Sequence, residues 1–267
     1  MRAERIARDV YWKRLLMVNV VFLGKPGAKS GEWALVDTGL PYSADAIERE
    51  AKERLGYQGS PSCIVLTHAH VDHVGSVREL ARRWNAPVYV HERELPHVTG
   101  KAAYPTPDPT VSPGWIAKLS PLFPTKAIDL GNAAKALPED GSVPGLPEWR
   151  WVATPGHTDG HISLFRESDR TLIVGDAFST VEQESLGAVL MQRSAVHGPP
   201  AYLTTNWEAA HMSVWALRAL RPHAAVPGHG LPIVGEMDCG LYLELLSEHF
   251  EEIAKPKKSK FLQKPQT

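Results

Sequence analysis

The feature that most constrains this chain is the stretch T-H-A-H-V-D-H-V-G at residues 67–75, which places three histidines and an aspartate within six consecutive positions. The apolar run Cys63–Thr67 before it predicts a short strand, and a helix is predicted to begin near Val74. A lone histidine is usually a packing or surface residue. Four metal-capable side chains in H-x-H-x-D-H order on a strand-to-helix turn instead predict a metal site.

The motif has the geometry to serve two ions. Alternate residues of an extended chain point the same way, so His68 and His70 can reach one ion. The turn into the helix carries Asp72 and His73 to a different side of the same spot, which suits a second ion. Neutral imidazoles and a carboxylate are donors that zinc favours, and iron, manganese and nickel accept them too. Two divalent ions, with zinc as the first choice, are the expected cofactors.

Three further metal-capable residues each follow a predicted strand. His157 lies in T-P-G-H-T-D-G-H, Asp176 in I-V-G-D-A and His229 in P-G-H-G. Each stands in a turn of small residues, where the backbone can approach an ion without a bulky Cβ in the way. A dinuclear site needs more ligands than residues 68–73 supply, and these three are the candidates.

Strand-like and helical segments alternate along the chain, and almost no shift in composition marks a domain boundary. Such an interleaved series predicts a layered α/β architecture. One domain is expected over residues 1–254, followed by a solvated basic tail over 255–267. The predicted strands are Val18–Leu23, Trp33–Asp37, Cys63–Thr67, Val88–His91, Trp149–Thr154, His161–Phe165, Thr171–Gly175 and Ala224–Pro227, and the predicted helices are Ala44–Leu55, Ser76–Trp84, Glu208–Leu220 and Leu241–Ile253.

The ordered set of motifs resembles the metallo-β-lactamase superfamily. It runs from D-T-G at residues 37–39 through T-H-A-H-V-D-H, P-G-H-T-D-G-H and G-D to P-G-H-G, and so covers most of the chain. The resemblance implies a four-layer αββα sandwich, the metallo-β-lactamase fold, with the metals at one edge of its two sheets. It also implies a division of the ligands: one metal at His68, His70 and His157, the other at Asp72, His73 and His229, and Asp176 bridging the two.

The resemblance implies a hydrolase. A hydroxide bridging two metals about 3.5–4 Å apart would attack the carbonyl carbon of a small ester, thioester or lactone, without a nucleophilic serine or cysteine. Asp72 would shuttle a proton to the leaving group, as in similar enzymes. The ligand set is more similar to the glyoxalase II and lactonase branches than to the antibiotic-hydrolysing members, which usually have cysteine where this chain has Asp176 or lack this bridge. Glyoxalase II enzymes also carry a C-terminal helical region, whereas one predicted helix and the tail follow His229 here.

Two other activities stay open at this point. Persulfide dioxygenases resemble the same framework but use a single iron, so metal content separates them from a dinuclear hydrolase. Several superfamily members are nucleases, but a formal net charge of -1 counts against nucleic acid as a partner. Flavodiiron relatives have glutamate where His70 stands, which argues against that branch. The expected partner is a small-molecule substrate.

Composition favours a cytoplasmic location. The two cysteines, Cys63 and Cys239, are too few for a disulfide framework, which fits a reducing compartment. The apolar run L-L-M-V-N-V-V-F-L-G at residues 15–24 follows a basic segment like that of a signal peptide, but Asn19 interrupts it and no small-x-small cleavage site follows. The run instead predicts a buried strand. No segment approaches the ~20 apolar residues that a membrane span needs.

Residues around the expected ligands have predicted supporting roles. Asp37 and Asp159 are the nearest carboxylates by motif, and they are expected to accept hydrogen bonds from ligand histidines. His161 is expected to be packed and hydrogen-bonded rather than a ligand. Repeated prolines predict an irregular excursion over Pro96–Pro124, and two interpretations stay open for it: a surface loop, or a cover that borders the mouth of the site.

Overall fold

In the computed structural model, which describes residues 3–262 apart from the side chain of Arg54, two large β-sheets pack face to face. The strands of the first sheet are β1 Glu4–Ala7, β2 Val10–Leu15, β3 Val18–Leu23, β4 Ala34–Val36, β5 Cys63–Val65, β6 Val88–Val90 and β7 Ala134–Ala136. They lie side by side in sequence order. Neighbours are antiparallel from β1 to β4 and parallel from β4 to β7.

The second sheet is built from the later part of the chain. The remaining strands are β8 Trp149–Ala153, β9 Ile162–Arg166, β10 Thr171–Gly175, β11 Ser179–Val181, β12 Ser194–His197, β13 Ala224–Pro227 and β14 Ile233–Val234. Five of them form the sheet in the order β14-β13-β10-β9-β8, in which only β10 and β13 are parallel. Strands β11 and β12 form a separate antiparallel pair.

Helices cover the outer faces of the two sheets. The α-helices are α1 Ala44–Arg49, α2 Val71–Val74, α3 Val77–Trp84, α4 Leu95–Val98, α5 Trp115–Leu119, α6 Leu186–Met191, α7 Trp207–Ala219, α8 Glu236–Glu248 and α9 Phe250–Ile253. A π-helical turn, Glu50–Arg54, continues α1, and 3-10 turns form at Glu92–Glu94, Ser120–Leu122 and Gly131–Ala133. Within residues 3–262, none of these helices combines the length and apolar character that crossing a membrane requires.

Along the strands of both sheets, side chains point alternately into the core between the two sheets and into a core between the sheet and its helices. In β3, Val20 and Phe22 pack with the helical layer of α1 and α3, while Val21 and Leu23 pack between the sheets. In β10, Ile173 faces the first sheet and its neighbours pack against α7 and α8. Because these strands are buried on both faces, they are largely apolar in the sequence, although Asn19 lies within β3. The layers therefore confirm the predicted αββα sandwich.

Most sequence-predicted elements are present, with shifted ends. Strands Val18–Leu23, Thr171–Gly175 and Ala224–Pro227 have the predicted bounds. The apolar run at residues 15–24 is not one strand, because a hairpin turn with Leu16 at a φ of 60° separates the end of β2 from β3. The strand before this turn, β2, contains Lys13 and Arg14, so the apolar run includes only its last residue, Leu15, and did not reveal the hairpin.

Two predicted helices differ from the structure. The helix expected near Val74 begins at Val71, so the aspartate and histidine of the motif lie within the single turn of α2. The helix predicted over Leu241–Ile253 begins at Glu236 as α8 and is interrupted at His249, after which α9 follows. Up to residue 262, two helices rather than one therefore follow the P-G-H-G motif.

The proline-rich excursion Pro96–Pro124 has only short helical turns and lies beside the histidine cluster. Its Tyr104 ring packs on the His70 ring, with centroids 4.4 Å apart. The interpretation as a segment bordering the site therefore has a direct contact in its favour.

The basic tail has exposed side chains at Lys257, Lys258 and Lys260, and it also contacts the folded domain, because the Lys260 backbone N–H donates to Asp108 Oδ2 at 2.7 Å. Residues 1–2 and 263–267 lie outside the described part of the chain, and the predicted division at residue 254 stays a prediction.

Candidate metal centre

The seven residues predicted as ligands converge on one place at the carboxyl ends of strands from both sheets. Their ligand atoms fall into three overlapping groups, each with all atoms within 4.8 Å of one another. Six of the side chains are buried and Asp72 is partly exposed. That these residues bind metal stays a prediction. The groups are His68, His70 and His157; His68, His73 and Asp176; and Asp72, His73 and His229.

Strand ends and short turns position these side chains. His68 and His70 follow β5, and His73 lies in α2 directly after them. Asp176 follows β10 and His229 follows β13, the two parallel neighbours of the second sheet, so their carboxyl ends bring both side chains to the same edge. The backbone also links the two sheets here, since Ile162 N–H donates to Thr67 O at 3.0 Å.

Hydrogen bonds at Nδ1 orient two imidazoles from the motif. His73 Nδ1 donates to Asp37 Oδ2 at 2.8 Å. Thr67 Oγ1 donates to the same Asp37 oxygen at 2.8 Å, and it therefore accepts from His68 Nδ1 at 3.1 Å. With Nδ1 protonated and held in this way, Nε2 of both rings is left as the atom that faces the centre. The predicted supporting role of Asp37 is confirmed.

The other imidazoles are oriented in a similar manner. His157 Nδ1 pairs with Thr204 Oγ1 at 3.1 Å, and that hydroxyl donates its own proton to Pro200 O at 2.8 Å. His229 Nδ1 donates to the backbone oxygen of Met17 at 2.7 Å. His70 differs, because its Nδ1 points inward and lies 2.9 Å from His157 Nε2. A cation held by both of these nitrogens must displace the proton that they share.

Three buried atoms at the centre fit a cation. Nε2 of His68, Nε2 of His73 and Oδ1 of Asp176 have no hydrogen-bond partner among residues 3–262. Buried polar atoms are normally paired, so three that face one another without a hydrogen-bond partner are unusual. Imidazole nitrogens and carboxylate oxygens are ligands that zinc, iron and manganese accept. The donor set therefore suits divalent metal ions.

Burial keeps three of the imidazoles neutral. It lowers the pKa of His68 well below the usual value, and the nearby His73 lowers it further. The pKa of His157 is lowered by burial and by His70 in the same manner, because a second positive charge nearby is unfavourable. Burial likewise lowers the pKa of His70 to about 4, although Asp72 and Asp176 oppose it. A neutral imidazole is the form that binds a metal ion.

The carboxylates stay ionised and share protons with the remaining histidines. Burial would raise the pKa of Asp176, but His229 and His73 hold it well below the usual value. Burial would lower the pKa of His229, but Asp176 and Asp72 raise it to about 10, and the pKa of His73 is raised by the neighbouring carboxylates in the same manner. Protons on His73 and His229 thus compensate the negative charge of the carboxylates, as a bound cation would.

Gly228 provides a test of the centre, because it leaves no room for a side chain. A Cβ at this position would lie 2.1 Å from Asp176 Oδ1 and 2.8 Å from His73 Cε1. We expect Gly228→Ala to displace both groups and to weaken metal binding by at least about tenfold, the lower end of what mutations beside metal ligands cost. Gly240→Ala is the matched control, because a Cβ there meets nothing within 4 Å. Equilibrium zinc titration of both variants checks this, and unchanged affinity in Gly228→Ala would contradict it.

The remaining predicted supporting residues differ in outcome. His161 is packed and hydrogen-bonded as expected: its Nε2 accepts the backbone N–H of Asp176 at 2.8 Å, and burial lowers its pKa to about 3. The prediction for Asp159 is wrong. Its side chain is exposed, and Thr204, 47 positions away in sequence, pairs with His157 instead. Thr204 lies outside the predicted ligand motifs, and those motifs gave no signal for its contact with His157.

Two further residues beside the centre were not predicted from the sequence. Glu94 is 1% exposed and contacts the backbone at Ala69 and Gly160, and Tyr104 packs on His70. Glu94 follows the parallel strand β6, and the carboxyl ends of parallel strands meet at one edge of a sheet. That position was the available signal for Glu94.

Comparison with known proteins shows what the chain is similar to. The model of the metallo-beta-lactamase superfamily matches residues 14–229. The probable metallo-hydrolase YflN of Bacillus subtilis (strain 168) is 48% identical over 230 residues, which cover 86% of this chain and 87% of that protein. The hydroxyacylglutathione hydrolase of Acidiphilium cryptum (strain JF-5) is 31% identical over 198 residues, which cover 73% of this chain and 58% of that protein. Among solved structures, the Rm3 metallo-beta-lactamase shares the fold with a TM-score of 0.65 and 19% identity, over 94% of this chain and 93% of that one.

Proposed function

The chain belongs to the metallo-β-lactamase superfamily as a metal-dependent hydrolase, and we propose that it uses two divalent metal ions to cleave a small carbonyl ester, thioester or lactone. The observation that carries the proposal is the position of Asp176 between two sets of histidines. Its Oδ2 lies 3.5 Å from His157 Nε2 and 3.3 Å from His229 Nε2, and its Oδ1 lies 3.4 Å from His73 Nε2. One carboxylate can therefore serve both sets.

In this proposal the ligands divide as the resemblance to the superfamily implies. His68, His70 and His157 hold one ion, Asp72, His73 and His229 hold the other, and Asp176 contributes to both. Zinc is the proposed metal because imidazole and carboxylate donors suit it, although iron, manganese and nickel accept the same donors. When bound, two adjacent divalent ions supply Lewis acidity, which makes hydroxide available near neutral pH and polarises a substrate carbonyl.

The chain's own residues supply the proton transfer and the orientation. Asp72 is 18% exposed at its side chain, against 3% for Asp176, so it is the carboxylate of the cluster that water and a leaving group can reach. Its Oδ2 lies 3.3 Å from His229 Nε2, and this contact favours the ionised carboxylate. We assign Asp72 the transfer of a proton to the leaving group. The Nδ1 hydrogen bonds described above hold the imidazoles in place.

Similarity to a hydroxyacylglutathione hydrolase supports a carbonyl thioester or a related ester as the substrate class. A formal net charge of -1 gives no general attraction to nucleic acid, so the proposed partner is a small molecule. We also propose a cytoplasmic location, because both cysteines are buried as free thiols, as a reducing compartment allows.

Removal of metal tests the proposal. We expect incubation with a chelator to lower the hydrolysis of a responsive thioester or lactone by at least about a hundredfold, because without bound metal the water pKa returns toward its bulk value. Addition of zinc or manganese should restore the rate. The measurement is a substrate panel of lactones, thioesters, phosphodiesters and a persulfide, together with metal analysis of the purified protein. Turnover that a chelator does not affect would contradict the metal-dependent mechanism.

A further inference from the structure

We propose that Glu94 is a positioning residue that sets the geometry of the three-histidine group His68, His70 and His157. The inference rests on the proposed metal-binding function and assigns a role to a residue outside the ligand set. Glu94 ends the 3-10 turn Glu92–Glu94 after β6, and its side chain is 1% exposed. A carboxylate at that depth is costly unless donors surround it.

Each carboxylate oxygen of Glu94 contacts a different ligand-bearing loop. Oε2 accepts the backbone N–H of Ala69 at 3.2 Å, and Ala69 is the residue between the two histidines of the H-x-H pair. Oε1 accepts from Thr158 Oγ1 at 2.7 Å and from the backbone N–H of Gly160 at 3.1 Å, within the loop that begins with His157. One side chain therefore links the two loops that supply all three imidazoles.

Packing and a second side chain reinforce this link. A Cβ on Gly160 would lie 2.7 Å from Glu94 Cγ, so the loop closes tightly on the glutamate. Tyr104 Oη donates to Glu94 Oε2, and the same hydroxyl accepts the Ala69 N–H at 3.0 Å. The Tyr104 ring packs between His70 and His97, with centroid distances of 4.4 and 3.9 Å. Glu94 and Tyr104 thus fix the backbone and one ring of the group together.

The contacts of Glu94 are selective for one half of the centre. Its partners flank His68, His70 and His157, whereas Asp37 and the backbone oxygen of Met17 orient the histidines of the other half. A residue that only stabilises the fold would lower the affinity for both ions equally or for neither. Positioning by Glu94 instead predicts an effect confined to the three-histidine group.

The experiment is a zinc titration of Glu94→Ala in two backgrounds. His229→Ala removes a ligand of the second group and leaves the three-histidine group, and His157→Ala does the reverse. We expect Glu94→Ala to weaken zinc binding by about ten- to a hundredfold in the His229→Ala background, as is typical of residues that orient ligands, and to leave it unchanged in the His157→Ala background. Competition with a chromophoric chelator gives the dissociation constants.

Glu94→Gln and Tyr104→Phe are the variants to titrate if Glu94→Ala does not fold. A glutamine oxygen can still accept from Thr158 and Gly160, but its NH₂ group cannot accept the Ala69 N–H, so we expect Glu94→Gln to keep the link to the His157 loop and to weaken zinc binding less than Glu94→Ala does. Tyr104→Phe keeps the ring on His70 but loses the hydroxyl, and it should weaken zinc binding less than Glu94→Ala does.

Glu50→Gln is the matched control for loss of a buried carboxylate. Glu50 is 7% exposed and pairs with Lys13 Nζ at 2.5 Å and with the Ala3 N–H at 2.7 Å, none of which belongs to the centre. It should lower the thermal midpoint of the metal-free protein without changing zinc affinity. If Glu94→Ala behaves like Glu50→Gln, the inference is overturned while the metal centre stands. If the wild type binds no zinc, manganese or iron, both the inference and the proposed function fail.

Discussion

Asp176→Asn is expected to abolish hydrolysis and to remove metal from both halves of the centre. The Asp176 carboxylate lies within 3.5 Å of nitrogens from three different histidines, His73, His157 and His229, and no other carboxylate in the described part of the chain belongs to a group with His68. Asparagine has nearly the same shape but carries no charge, so it cannot compensate two divalent cations. The loss should therefore affect both ions rather than one.

The expected loss of rate is at least about a thousandfold, because metal binding lowers the pKa of water from about 15.7 to about 7, and losing both ions loses that entire shift. Metal per chain and turnover are measured together. Asp159→Asn is the matched control, since Asp159 is an exposed aspartate two residues after His157. Full metal content in Asp176→Asn would show that the two halves do not share this carboxylate.

The layers of the fold could be predicted because the burial pattern is simple. Strands buried on both faces, such as β3 and β10, are largely apolar, and helices such as α3 have apolar residues at three- and four-residue spacing. Strands β1, β2, β7, β11, β12 and β14 were missed. Five of them have only two to four residues, so neither a continuous run nor a clear alternation marks them, and β2 contains Lys13 and Arg14 among its apolar residues.

The candidate ligands could be predicted because they stand in compact motifs at strand ends. H-x-H-x-D-H and the glycine-flanked turns at His157 and His229 are visible without a structure. The turns at Asp176 and His229 meet because they follow β10 and β13, which are parallel neighbours with their carboxyl ends at the same edge of the sheet. The seven side chains accordingly converge as the motifs predict.

The residues that orient the ligands could be predicted only in part. Asp37 was found because it belongs to a motif, whereas Thr204 and the backbone oxygen of Met17 are set by tertiary packing across 47 and 212 positions. Any hydroxyl or carbonyl can accept an imidazole proton, so residue type gives little information about these partners. The sequence shows that Glu94 follows a strand, but it does not show the contacts of Glu94 with two loops.

His229→Ala separates a dinuclear hydrolase from a mononuclear iron oxygenase. His229 Nε2 lies 3.3 Å from both Asp72 Oδ2 and Asp176 Oδ2, at the side of the centre away from the three-histidine group. In a dinuclear hydrolase the variant should fall from about two metals per chain to about one, and hydrolysis should fall by about a thousandfold. In a mononuclear iron enzyme His229 would lie outside the ligand set, and the variant would keep about one iron per chain.

The measurement combines bound metal per chain with rates of thioester or lactone hydrolysis and of oxygen consumption with a persulfide. His249→Ala is the control, since His249 is exposed and pairs with Glu252 through Nδ1 at 3.1 Å, on the helix pair that follows the centre. A wild type with one iron that consumes oxygen would overturn the hydrolase proposal. If His229→Ala loses one of two metals and also loses hydrolysis, the proposal is supported. Both losses then have one cause, which is a second ion that His229 holds and that the hydrolytic rate requires.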